Sequence, residues 1–181
     1  MGAIGFRPVH LDDLPLLHHW MKADHVKRWW RGPETLEEVE AKYGPRIRGE
    51  APSHCFFMLV DGRPVGFIQT YLVGAWPDYA RQVRVENGTA GIDLFIGDPA
   101  CLHQGLGPLI IKAFLRDIVF GPSGPFAPGQ VRRCVVGPEP ANTAAIRAYE
   151  KTGFRYWKTI PMEDEPEPEY LMIIRPEDLV S

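Results

Sequence analysis

Residues 91–115, GIDLFIGDPACLHQGLGPLIIKAFL, carry an acid inside an apolar strand-like run, then a turn with two glycines, then an apolar helix-like run. A carboxylate at Asp93 can orient a cationic group and accept its proton. Where a glycine turn opens into a helix, unpaired backbone N–H groups and the helix dipole together favour an anion. Gly105 and Gly107 permit close backbone approach, and Pro108 suits a first helical turn, where an N–H is dispensable. A phosphate-bearing ligand fits this place, and an ordinary strand-to-helix turn fits it as well. Two phosphate motifs are absent: G-x-x-x-x-G-K-[ST] and G-x-G-x-x-G.

Residues 135–154, VVGPEPANTAAIRAYEKTGF, hold the second constellation. Pro138 and Pro140 break a strand, Asn142 or Thr143 caps a helix, and Gly153 stops it. Tyr149 follows Asn142 by two turns, so both lie along one side of that helix. A phenol there can donate a proton; standing alone, such a tyrosine is more often a half-buried packing residue.

The elements that must position these residues follow from periodicity. Residues 4–9 predict a strand. HLDDLPLLHHWM sets Leu14, Leu17 and Trp20 on one helical face, with Asp12 or Asp13 as the N-cap. Thr35 and Glu38 have capping-box spacing for a helix running toward Arg48. Strands at 55–60 and 65–72 flank an Asp-Gly turn, an antiparallel hairpin or meander. Residues 73–90 read as irregular, a possible flap. Strand 91–96, helix 108–120, strand 131–136, helix 143–152 and strands near 154–160 and 169–175 complete a mixed α/β sheet.

The 181 residues, 45% hydrophobic, suffice for one compact core, and a single domain spanning 1–181 is expected. A net charge of −3 provides no basic footprint for nucleic acid. Cys55, Cys101 and Cys134 are odd in number, widely spaced and without metal-like clustering, so a reduced cytoplasmic protein without a metal site is expected. No basic-then-apolar leader opens the chain, and no apolar run reaches the roughly 20 residues that span a bilayer. No membrane association is expected.

Together the acid-bearing strand before GLGPL and the later NTAAIRAYEKTGF resemble the GCN5-related N-acetyltransferase (GNAT) superfamily. HWMKADHVKRWW, GIDLFIGDPACLHQGLG and GPEPANTAAIRAYEKTGF are similar, more specifically, to the aminoglycoside 6'-N-acetyltransferases. The resemblance covers most of residues 10–175 except 73–90 and 121–130. It implies a single-domain GNAT fold, a mixed, mostly antiparallel central sheet flanked by helices. It also implies acetyl-CoA as cofactor, a small polycationic aminoglycoside as acceptor, and antibiotic resistance as the consequence. The assembly is left at monomer or dimer.

By that resemblance the turn His103, Gln104, Gly105, Leu106, Gly107 and Pro108 takes the pyrophosphate of coenzyme A. Leu94, Phe95 and Ile96 pair with the pantetheine amides like an added strand, and Asn142 contacts the cofactor arm. The superfamily often has Arg or Gln three residues before the first glycine, where this chain has Leu102. Asp93 and Tyr149 are the implied catalytic pair: Asp93 orients the acceptor ammonium and takes its proton, and Tyr149 protonates the leaving thiolate. Asp93 also reads as an acid paired with a nearby arginine or capping a bulge. Cys101 and Cys134 lack a sequence signature of an activating base.

For the acceptor, the resemblance implies Trp30 as a wall and Asp164 as a lining acid, besides Asp93. MEDEPEPEY clusters Glu163, Asp164, Glu165, Glu167 and Glu169, whose summed field suits a polycation and which equally reads as a solvated hairpin tip. In the flap, Trp76 and Tyr79 are candidates to cover the acceptor. The family has an acid where this chain has Gly137, and Glu139 substitutes for it if the loop bends. Rival readings are a siderophore-type lysine N-acyltransferase, whose members tend to carry histidine in place of Asp93, another small-amine or peptide N-acetyltransferase, and a non-catalytic acyl-CoA-binding module.

Overall fold

A computed structural model describes residues 2–179, so Met1, Val180 and Ser181 of the expected 1–181 domain lie outside the described residues. The strands are β1 (Ile4–Pro8), β2 (His54–Val60), β3 (Arg63–Leu72), β4 (Thr89–Ile96), β5 (Arg133–Val136), β6 (Arg155–Ile160) and β7 (Glu169–Ile174). The α-helices are α1 (Leu14–Met21), α2 (Asp24–Lys27), α3 (Leu36–Ile47), α4 (Pro77–Val83), α5 (Leu106–Phe114) and α6 (Thr143–Thr152). The strands form one seven-stranded sheet in the order β1-β2-β3-β4-β5-β7-β6. The β1–β2, β2–β3, β5–β7 and β6–β7 ladders are antiparallel, and the β4–β5 ladder is parallel. This is the mixed, mostly antiparallel α/β sheet that the sequence predicts.

Two compact units divide the chain: residues up to Thr70 with Asp93–Leu106, and Tyr71–Ile92 with the residues from Gly107 on. In the first, β2 and β3 turn through Asp61 and Gly62, both at positive φ (50° and 76°), the geometry of a tight hairpin turn. Thr35 and Glu38 form the expected reciprocal cap: Glu38 N donates to Thr35 Oγ1 at 3.2 Å and Thr35 N to Glu38 Oε2 at 3.1 Å. The α1 stripe Leu14, Leu17, Trp20 and Met21 is buried with Tyr43, Phe57 and Phe67.

One helix start departs from expectation. Asp13 occupies the N-cap position of α1 without a capping bond. Its carboxylate is gripped by both Arg7 nitrogens, at 2.7 and 2.8 Å, and by His10 N at 2.8 Å. A bidentate guanidinium is the stronger partner, and it ties β1 to the following turn.

In the second unit, residues 73–90 are more ordered than an irregular flap. A 3₁₀ turn, Val73–Ala75, leads into α4, which Pro77 starts at its first position. Val73 and Val83 are fully buried in a core with Val135 and Leu171. The helix expected over 108–120 is α5 followed by a π-helical turn, Leu115–Val119. Between the two candidate caps of α6, Asn142 does the capping, accepting from Ala145 N at 3.2 Å, and Gly153 at φ 115° ends the helix.

Candidate active site

In the first unit, Asp93 sits half-buried on β4 and is already engaged. Gln69 Nε2 donates to its Oδ2 at 2.8 Å, while Gln69 Oε1 accepts from Arg46 Nη1 at 2.7 Å. Arg46 comes from the last turn of α3 and Gln69 from β3, so three elements hold this one carboxylate. An arginine, Arg46, thus stands behind the carboxylate by way of the Gln69 amide. Nothing local in the sequence marks Gln69 or Arg46, because the contacts join residues 24 and 23 positions apart.

The β4–β5 ladder covers Thr89–Gly91, and β4 continues to Ile96. Leu94, Phe95 and Ile96 therefore lie beyond the β4–β5 ladder; the Ile96 carbonyl meets His25 Nε2 at 2.9 Å. In the turn that follows, His103 and Gly105 take left-handed φ values of 59° and 71°. An added Cβ at Gly105 would meet no heavy atom within 4 Å, so the turn faces open space before α5 begins at Leu106. The Gln104 side chain donates to Ala100 O, which folds the turn back on itself. An exposed glycine turn at the start of a helix suits a phosphate.

Trp30 is half-buried: it packs against the core and also lines a cleft. Its ring stands edge-on to Phe67 and Phe95, with centroids 5.9 and 4.9 Å away, and its Nε1 donates to Tyr43 OH at 3.3 Å. A cleft of about 390 Å³ beside it is lined by Lys22, Lys27 and Arg31 against Glu34. That balance of charge does not favour a polycation.

In the second unit, Gly107 and Pro108 are the second and third residues of α5. Asn142 and Tyr149 share α6, as the two-turn spacing predicts. Tyr149 is 8% exposed, its ring 5.3 Å from that of Phe154. The Asn142 cap uses the side-chain oxygen, so the amide nitrogen is the donor left for a ligand. Glu139 contributes its carbonyl to Asn142 N at 2.9 Å in the turn that leads into α6.

The acid beside Gly137 comes from elsewhere in the chain. A Cβ on Gly137 would lie 2.3 Å from Glu169 Oε2, so the Glu169 carboxylate fills the space that a side chain there would take. Tyr79 OH donates to the same oxygen at 3.0 Å, and Tyr71 stands edge-on to Tyr79 at 6.3 Å. Glu169 is one member of an acidic run whose other members are placed differently. Glu163 is bridged to Arg81 at 2.7 and 2.8 Å, and that hydrogen-bonded guanidinium holds the carboxyl below its usual range. Asp164, Glu165 and Glu167 are exposed.

All three cysteines are free thiols. Burial pushes Cys55 up to about 12, and burial with the nearby Asp98 raises Cys101, the opposite of what a nucleophilic thiol needs. Among the described residues no group of His, Cys, Asp or Glu could hold a metal ion, and no helix is long and apolar enough to cross a membrane.

Comparison with known proteins gives this geometry a context. Residues 10–162 match the acetyltransferase (GNAT) domain family. An aminoglycoside N(6')-acetyltransferase type 1 of Klebsiella pneumoniae is 29% identical over 157 residues, 85% of this chain and 75% of that protein. The structure of AAC(6')-Ib with ribostamycin and coenzyme A superposes with a TM-score of 0.83 at 25% identity, covering 97% of this chain and 95% of that one. The same enzyme with coenzyme A and kanamycin gives 0.82, over 97% and 96%.

Proposed function

We propose that this chain, which belongs to the GNAT acetyltransferase domain family, is an acetyl-CoA-dependent aminoglycoside 6'-N-acetyltransferase acting as one cytoplasmic domain and conferring antibiotic resistance. The chemistry is carried by one observation: Asp93 is an acid on β4 with one oxygen held in place by Gln69. An amine with a pKa of roughly 8 to 10 is protonated at neutral pH and must lose a proton before it attacks. Asp93 takes that proton, directly or through water.

The turn His103–Pro108 fits a pyrophosphate, because its glycine faces open space at a helix start. When bound there, acetyl-CoA supplies the thioester whose acetyl group passes to the amine. The backbone of Leu94, Phe95 and Ile96 would hold the pantetheine amides and offer N–H donors to an oxyanion. Asn142 would offer its amide nitrogen to the cofactor arm. Tyr149 would supply its phenolic proton to a thiolate leaving group. Asp164, Glu139 and Glu169 attract the further ammonium groups of the acceptor, and Trp30 backs the acceptor wall through its indole.

The experiment is a thiol-release assay with acetyl-CoA and a panel of kanamycin, tobramycin, gentamicin, a lysine-derived hydroxamate precursor and a peptide. Turnover with acceptors bearing a 6'-amine, and none with a 6'-hydroxyl analogue, is expected. Silence on aminoglycosides with turnover of the lysine derivative would transfer the chain to the siderophore-type acyltransferases. Coenzyme A binding without turnover of any amine would make it a binding module.

A further inference from the structure

Gln69 is 6% exposed, and each end of its carboxamide has a partner that dictates its orientation. Arg46 Nη1 donates to Oε1 at 2.7 Å, and Nε2 donates to Asp93 Oδ2 at 2.8 Å. A guanidinium has no acceptor and an ionised carboxylate no donor, so the two charges decide which end of the amide is oxygen. Flipping the amide would forfeit both bonds and leave buried polar atoms unmatched. The Cys55 thiol also points to Oε1, at 3.9 Å, and the Arg46 guanidinium rests over the Tyr43 ring at 5.2 Å.

An amide bonded at once to a guanidinium and to a carboxylate is polarised by the cation and donates more strongly to the anion. We infer that Gln69, backed by Arg46, is a positioning residue for acetyl transfer: it holds Asp93 by Oδ2 and sets the orientation in which the carboxylate meets the acceptor ammonium. This rests on the reading of Asp93 as the proton acceptor. Tyr43 on α3 and Cys55 on β2 both feel the Asp93 charge, and burial pushes both pKa values up, so they stay neutral. Arg46 is the cation of the group.

The test measures pH profiles of kcat/KM for Gln69→Leu and Arg46→Met with acetyl-CoA and kanamycin. In Gln69→Leu, loss of a donor to the charged form moves the acidic limb up by about one pH unit. Misplacement of Asp93 lowers kcat roughly 10-fold or more, while KM for acetyl-CoA stays put. Arg46→Met shifts the limb in the same direction by less, and it carries the test alone if Gln69→Leu does not fold. Asp93→Asn is measured alongside. If Asp93→Asn is inactive while the other variants keep the wild-type limb and kcat, the positioning role is overturned and the Asp93 reading stands. If Asp93→Asn retains wild-type turnover, both fall.

Discussion

Replacing Gly137 by alanine puts a methyl group where the Glu169 carboxylate now lies, 2.3 Å from Oε2 against the 3.4 Å at which ordinary contact begins. The obstructing atom is the far end of a flexible side chain, so the chain yields by moving Glu169 about 1 Å rather than by unfolding. The bond from Tyr79 OH is lost, which costs stability about 1 kcal/mol. For acceptor binding, a cation about 4 Å from a carboxylate is attracted by about 4 kcal/mol at an effective dielectric of about 20, and about 1 Å of retreat weakens this by about 0.8 kcal/mol. That corresponds to roughly a fourfold rise in KM for a polycationic aminoglycoside. The assay is steady-state kinetics on kanamycin and acetyl-CoA in low salt, with a thermal melt as control. KM for acetyl-CoA should not move, and Glu169→Gln should raise the acceptor KM while making Gly137→Ala silent when the two are combined. An unchanged acceptor KM in both single variants would refute the assignment of Glu169 to the acceptor.

Tyr149→Phe should slow the chemical step by roughly 10- to 100-fold on the general-acid scale, read by single-turnover kinetics; an unchanged rate would hand thiolate protonation to water. Gly97→Ala should destabilise by about 1–3 kcal/mol, because the added carbon would lie 2.2 Å from the ring of Trp20, which is 5% exposed and packed on Phe57. Thermal melts would show this as a Tm lowered by several degrees. Asp13→Asn tests pH linkage. The Arg7 guanidinium holds the Asp13 carboxyl below its usual range, so its stabilisation is present above the unfolded value of about 3.9 and is lost as pH falls through the lower folded one. The variant should be weaker than wild type by about 1 kcal/mol or less in urea at pH 7. The two should converge only once the pH has fallen below the lowered folded value.

What was legible in the sequence was what short-range chemistry dictates. Thr35 and Glu38 cap a helix, Asp61 and Gly62 turn a hairpin, and Asn142 and Gly153 bound α6 because each of these acts within a few residues. Asp93 and Tyr149 were reached through their motifs. Residues 73–90 were misread because the signal of α4 is a single proline start on a seven-residue helix, too short for a clear period. Asp13 stands at the predicted cap position, yet its carboxylate serves Arg7, which lies on the preceding strand where no helix signal points to it. Gln69, Arg46 and the seating of Glu169 against Gly137 depend on long-range packing that no local pattern encodes.

The seating of Glu169 also constrains the order in which this chain can change. Set against the family pattern that the sequence resembles, position 137 lacks an acid, yet a carboxylate lies there, supplied by β7. A side chain at 137 displaces the Glu169 carboxylate from its seat beside Tyr79. An acid introduced at 137 therefore costs the chain this seat, whereas a mutation shortening Glu169 first opens a gap that an acid at 137 can then fill. The two positions form an epistatic pair, and libraries that vary either one alone will miss the exchange.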